Sequence, residues 1–144
     1  MAITCEGYVV NANTRQWRRA GNGSAGLKSK ANVHAERVAF GQLPTSSAYL
    51  LLQNAYPCSD CHAHFKAVSL NGRSVVIKVE ANEGNYSAEH FTDGAGHPIL
   101  KGSVPCVIYY HEGRASYVTM SDVITGGSAA AKPPAGFPAI PEIL

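Results

Sequence analysis

Apolar and polar positions divide the chain into short blocks whose spacing predicts alternating strands and helices. Thr4 to Val10, with Tyr8, Val9 and Val10 together, predicts a first strand. Residues 11–31 are polar, basic and glycine-bearing. They predict a second strand around Arg15 to Arg19, followed by a loop at Gly21-Asn22-Gly23-Ser24. Asn32 is suited to cap a helix that runs to about Leu43 and is stopped by Pro44. Ala48 to Asn54 is a near-continuous apolar run, the pattern of a strand buried on both faces. Cys58 to about Ser69 reads as a helix with Phe65 and Val68 on its apolar side, ended by Asn71-Gly72. Val75 to Val79 is a further strand. This strand–helix–strand order implies a parallel pairing with a right-handed crossover.

Residues 81–103 are rich in Gly, Asn, Ser and His, with Tyr86, His90 and Phe91 inside. A connection of that length is usually functional or hides a short helix. Val104 to His111 and Ala115 to Met120 flank Glu112-Gly113, which predicts a hairpin. The stretch from Gly126 is Gly/Ala-rich and then proline-rich, so it is expected to lie extended or disordered. The expected organisation is one α/β domain over residues 1–125, with about five strands, followed by a tail over 126–144.

The length of 144 residues suits a single domain. Hydrophobic residues are 45% and charged residues 15%, which excludes a disordered chain. The longest apolar runs fall far short of the ~20 residues of a membrane span, and no basic-then-apolar segment opens the sequence. The net charge of +2 implies no particular partner, but its distribution does. Residues 1–40 hold six basic and two acidic side chains, and the remainder holds six basic and eight acidic. Arg15, Arg18, Arg19, Lys28 and Lys30 therefore form either a solvated basic segment or a footprint for an anion such as nucleic acid.

Of four cysteines, Cys58 and Cys61 form a C-x-x-C at a helix start, where they share a face. Free backbone N–H groups at that end favour thiolates, the metal-binding form. Cys5 and Cys106 sit among apolar residues and read as core thiols. His34, at the start of the preceding helix, offers a nitrogen ligand. One His and two Cys leave the fourth position of a tetrahedral zinc open to water, as in a catalytic site. Glu36 is a carboxylate near that water, provided the metal sits at the helix end where the side chain can reach around.

The order His34-Ala35-Glu36 and then Pro57-Cys58-Ser59-Asp60-Cys61 resembles the signature of the zinc-dependent nucleobase deaminases, H-x-E followed by P-C-x-x-C. The resemblance covers about Val33 to Phe65, and through about Val79 by element order. It implies a cytidine deaminase-like three-layer α/β/α sandwich around a mixed sheet. His34, Cys58 and Cys61 would be the Zn2+ ligands and Glu36 the proton shuttle. The implied reaction is hydrolytic loss of ammonia from C4 of cytosine or C6 of adenine.

Free cytidine deaminases typically have a cysteine where this chain has His34, and P-C-G-x-C-R-Q where it has Pro57 to Ala63. The tRNA adenosine deaminases have methionine at the place of Asp60. AID/APOBEC enzymes have S-W-S before P-C, against Asn54-Ala55-Tyr56 here. The chain looks most like the bacterial single-strand DNA cytosine deaminase toxins, which are small warheads of larger secreted proteins acting in the target-cell cytoplasm. That resemblance implies a single-stranded DNA substrate, a cognate immunity protein, no membrane and a monomer. By the resemblance Asn22 would contact the sugar or base, and Ala35, Tyr56 and Ser59 are further candidate substrate contacts. Trp17, among the arginines, either stacks a base or packs as ordinary core, and the basic segment would track the phosphate backbone. Other substrates remain open: double-stranded DNA, RNA or free nucleosides. So does a non-catalytic zinc module in which His62 or His64 supplies a fourth ligand, or a thioredoxin-like redox pair.

Overall fold

The computed structural model describes residues 3–11, 16–25, 34–80 and 106–119. Their order is β1 (Ile3–Asn11), β2 (Gln16–Ala25), α1 (Ala35–Gly41), β3 (Ala48–Gln53), α2 (Ser59–Ser69), β4 (Ser74–Val79), β5 (Cys106–His111) and β6 (Arg114–Thr119). The strands form one mixed sheet in the order β2-β1-β3-β4-β5-β6. Only β3 and β4 run parallel, joined through α2 as the strand–helix–strand pattern predicts; the other pairs are antiparallel. Among the described residues the sheet thus has six strands where about five were expected.

Both helices lie on one face. Ala35 and Ala39 of α1 and Cys61 and Phe65 of α2 share a buried cluster with Tyr49, Leu51, Val75, Ile77, Ile108 and Tyr110. The opposite face carries a second cluster of Trp17, Ala48, Leu50, Val76, Val107 and Tyr109. This explains the unbroken apolar run of β3, whose two sets of alternate residues enter different clusters. The described residues therefore make a sheet with helices on one side; they contain no helix over the second cluster. Among them, no helix is long and apolar enough to cross a membrane. The expected connection over 81–103, with Tyr86, His90 and Phe91, and the tail over 126–144 lie outside the described residues.

Gly21 to Ser24 is strand, not loop, and the cause is packing. A Cβ on Gly21 would stand 2.6 Å from the carbonyl oxygen of Ala39, and one on Gly23 would collide with the carbonyl oxygen of Ala35. The G-x-G spacing lets α1 lie directly on the β2 backbone. The helix is shorter than expected: His34, not Asn32, is its N-cap, and it ends at Gly41. Asn32 lies outside the described residues.

The strand β2 also changes face partway. Gly7 pairs with Gly21 but Tyr8 pairs with Arg19, which leaves Ala20 as an extra residue. One extra residue reverses which side chains face the helices. Gly21 and Gly23 consequently face α1, whereas Trp17, also odd-numbered, packs in the second cluster.

At the other edge, β5 and β6 meet in a two-residue turn with Glu112 at φ 51° and Gly113 at φ 79°. Two successive positive φ values match the twist of a tight hairpin. The Gly113 N–H donates to Ser69 Oγ at 2.8 Å, which ties the hairpin tip to the end of α2.

Candidate metal centre

The site lies where the first turns of α1 and α2 meet, over the end of β3. The helix α1 packs on β2, β1 and β3, and α2 packs on β4, β5 and β6, so β3 runs beneath the junction. Phe40 of α1 and Phe65 of α2 pack edge to face, with ring centroids 5.5 Å apart, and hold the helices together. The chain leaves β3 at Gln53, and Cys58 caps α2 five residues later. The backbone around Asn54 is fixed by Thr4, whose N–H donates to Asn54 Oδ1 at 2.8 Å. His34 caps α1, and its imidazole points to the same place. Both cap side chains turn toward the junction, where each meets Cys61 Sγ.

His34 Nδ1 lies 3.1 Å from Cys61 Sγ and 3.2 Å from Cys58 Sγ. All three donor atoms fall within 4.8 Å of one another. Ordinary Zn–S and Zn–N bond lengths set such atoms about 3.5 Å apart around a tetrahedral ion. The set fits zinc if the donors move outward by a few tenths of an ångström. The donor chemistry, one imidazole nitrogen and two sulfurs, suits the same ion.

Two residues named as possible fourth ligands are engaged elsewhere. His62 Nδ1 is 2.9 Å from the hydroxyl of buried Tyr110. The His64 ring packs against Phe65, with centroids 5.2 Å apart. Among the described residues, the donor set is therefore three.

Glu36 is the carboxylate at this site, and it is 3% exposed. Its Oε1 stands 3.2 Å from Cys61 Sγ and 3.8 Å from His34 Nδ1. Its Oε2 accepts a hydrogen bond from the Gln53 side-chain amide. Two residues along a regular helix would aim Glu36 away from His34, but His34 precedes the helix in extended conformation, at φ −66° and ψ 144°. That bend lets both side chains converge.

Burial raises the Glu36 pKa above the usual carboxylate value; hydrogen bonds from Cys61 and Gln53 and the charge of His34 act against it. The two thiols share a proton unequally. The Cys58 thiol falls to about 5, chiefly because Cys61 donates to it, with help from backbone N–H groups at the start of α2 and against the cost of burial. Cys61 is pushed up by that same bond, by burial and by Glu36. Cys58 is therefore a ready thiolate, and metal uptake requires only the Cys61 proton to leave. Cys5 and Cys106 are 1% and 0% exposed in the core, as expected of apolar-packed thiols. Burial drives the Cys106 pKa up to about 12.

A small cleft beside the donors, with room for about one water molecule, is lined by Ile3, Ala25, His34, Ala35, Glu36 and Cys58. Tyr56 is fully buried in the helix-side core. Ser59 begins α2 next to Cys58, and its side chain is outside the described set.

Trp17 and Asn22 are not brought to the cleft. Trp17 is in the cluster on the far face of the sheet, and Asn22 is exposed on β2, on the side away from α1. Arg18 and Arg19 are exposed on β2, six to seven residues from Ala25, or roughly 20 Å along the strand. Arg19 faces Glu6 at 3.9 Å. Arg15, Lys28 and Lys30 lie outside the described residues. The residues missing from the sequence-based site are Ile3, Ala25 and Gln53. Ile3 and Ala25 pair across β1 and β2, and no local pattern marks them. Gln53 carried a signal: it is the one polar residue in β3. Comparison of the chain with protein-family models, with curated proteins and with solved structures returns no match in any of the three.

Proposed function

We propose that this protein is a zinc-dependent nucleobase deaminase that converts cytosine to uracil in single-stranded DNA, deployed as an interbacterial toxin domain. The observation that carries the reading is the meeting of His34, Cys58 and Cys61 donors with the buried Glu36 carboxylate at one cleft. The fold is then the cytidine deaminase-like α/β/α arrangement, with the described sheet and its helical face holding the site. His34, Cys58 and Cys61 would hold the zinc ion, which would supply an acidified water for hydrolysis.

The chain's own residues supply the rest. Glu36 Oε1, the oxygen facing the donors, takes the water proton and returns it to the substrate as ammonia departs. The raised pKa of Glu36 suits a group that both accepts and gives a proton. Ala35, Ile3 and Ala25 make the lining of the cleft partly apolar. Choice of base and polymer follows the resemblance in the His34-Ala35-Glu36 and Pro57-to-Cys61 segments, together with the basic residues gathered before His34.

The test is incubation of zinc-loaded protein with a cytosine-bearing single-stranded oligonucleotide, followed by uracil excision and strand cleavage. Cleavage that disappears on chelation and returns with zinc is the expected result. Absence of cleavage from folded, zinc-loaded protein overturns the substrate assignment. Parallel incubation with double-stranded DNA, RNA and free cytidine then separates the other substrates. Activity on none of them leaves a zinc-stabilised binding module.

A further inference from the structure

Gln53 stands at the end of β3, at a buried position of a central strand. Its backbone pairs with Cys5 on one side and Val79 on the other, and its carbonyl accepts the Glu80 N–H at 2.9 Å. The side chain is 2% exposed and points to the helix-covered face, where its amide donates to Glu36 Oε2. The amide oxygen, Gln53 Oε1, is buried with no hydrogen-bond partner among the described residues. An apolar side chain here would avoid the cost of that orphaned oxygen. A glutamine at this place therefore costs stability, which points to a use for its N–H group.

Metal binding shows what the use is. Without metal, Glu36 contacts the Cys61 thiol and lies near His34. On metal binding, Cys61 becomes a thiolate and His34 Nδ1 is occupied, so neither can donate to Glu36. Of the contacts to Glu36 described above, only the Gln53 amide is left to donate. It sits on a strand paired on both sides, which is the rigid support a proton-transfer group needs.

We propose that Gln53 is the positioning residue of the site: it fixes Glu36 by Oε2, so that Oε1 faces the metal-bound side of the cleft in the zinc-loaded protein. The inference rests on the deaminase reading for what Glu36 does. It adds the residue that aims the shuttle.

The test compares zinc-loaded wild type with Gln53→Met and Gln53→Glu. Gln53→Met keeps the length and removes the donor. It should retain one zinc per chain, with kcat on the cytosine oligonucleotide lowered 10- to 100-fold and KM changed less than threefold. Its Glu36 carboxylate stretch, identified by its loss in Glu36→Gln, should shift in the infrared spectrum. In Gln53→Glu, the introduced carboxyl can donate to Glu36 only when protonated, so activity should recover toward acid pH and the pH–rate profile should move down.

Unchanged kcat in Gln53→Met overturns the proposal. If that variant loses zinc or fails to fold, Gln53→Glu decides, and a pH profile superimposable on wild type overturns the proposal. Absence of turnover by wild type is a different failure, because it removes the deaminase reading itself.

Discussion

Gly23 tests whether the site is built by the packing of α1 on β2. Gly23 contributes no ligand and lies in a strand, yet a Cβ there would collide with the Ala35 carbonyl and come within 2.7 Å of the Ala39 backbone nitrogen. Both are backbone atoms, so no side-chain rotation relieves the clash. Either α1 lifts or β2 bends. Overpacking of this kind costs about 1–3 kcal/mol, and contact with backbone belongs at the upper end. For a chain of this length, about 2–3 kcal/mol lowers Tm by roughly 4–12 °C. The displaced turn is the one that carries His34 and Glu36, so Gly23→Ala should also weaken zinc binding. Gly41→Ala is the matched control. Gly41 closes the same helix, and no atom lies within 4 Å of where its Cβ would go. Replacing it should stabilise by about 0.5–1 kcal/mol. Urea melts of metal-free protein and zinc competition against a chromophoric chelator measure both effects. If Gly23→Ala matches wild type in stability and zinc affinity, the proposed docking of α1 on bare backbone is refuted.

Four further outcomes follow from the site. Glu36→Gln should hold zinc normally but lose about 10²–10⁴ in turnover, as expected for a general acid–base group; full activity in the oligonucleotide assay would exclude the shuttle. The same variant reports on pH. Burial raises the folded-state pKa of Glu36 above 4.5, so its contribution to stability is complete below 4.5 and is lost as pH rises through the raised value. The stability of metal-free Glu36→Gln relative to wild type should therefore climb with pH over that window, and melts at a series of pH values check it. Zinc affinity of wild type should fall steadily as pH falls, because the Cys61 proton must leave, and more steeply below pH about 5, where Cys58 is protonated as well; equilibrium competition titrations measure this. Trp17→Leu should cost about 2–3 kcal/mol through lost packing on the far face and leave KM for the oligonucleotide unchanged. A KM rise of fivefold or more would show that Trp17 stacks a base.

The candidate donor set was legible because its chemistry is written in short segments. His34-Ala35-Glu36 and the Cys58/Cys61 pair each declare a ligand type, and apolar periodicity places them at element starts. The parallel pairing of β3 and β4 and the closing hairpin were legible for the same local reason. What could not be read locally is which side of the sheet a residue faces once a strand carries an extra residue. Trp17 and the glycines at 21 and 23 share a parity, and a regular strand would set them on one face. Ala20 breaks that parity.

The same bulge turns Gly21 and Gly23 toward α1 and Trp17 away from the metal centre, so one inserted residue serves two ends. It frees the site-bearing face of β2 from bulky side chains, and it gives the far face its tryptophan. Gly21-Asn22-Gly23 looks like a loop to any rule based on turn residues. Its glycines are instead required by the backbone of a helix 12 to 18 residues further along the chain, a contact no turn-length window contains. Gln53 shows the converse case. Its polarity inside β3 was visible in the sequence, but its meaning depends on Glu36, which meets it only after β1, β2 and α1 are in place. The candidate metal donors can therefore be found from residue type and spacing, whereas the groups packed against the Glu36 carboxylate emerge only from tertiary packing. On this view Gly23 and Gln53 are linked: moving α1 by a Cβ at Gly23 should lengthen the bond between Glu36 and Gln53, and combining Gly23→Ala with Gln53→Met should lower kcat by less than the product of the two separate losses.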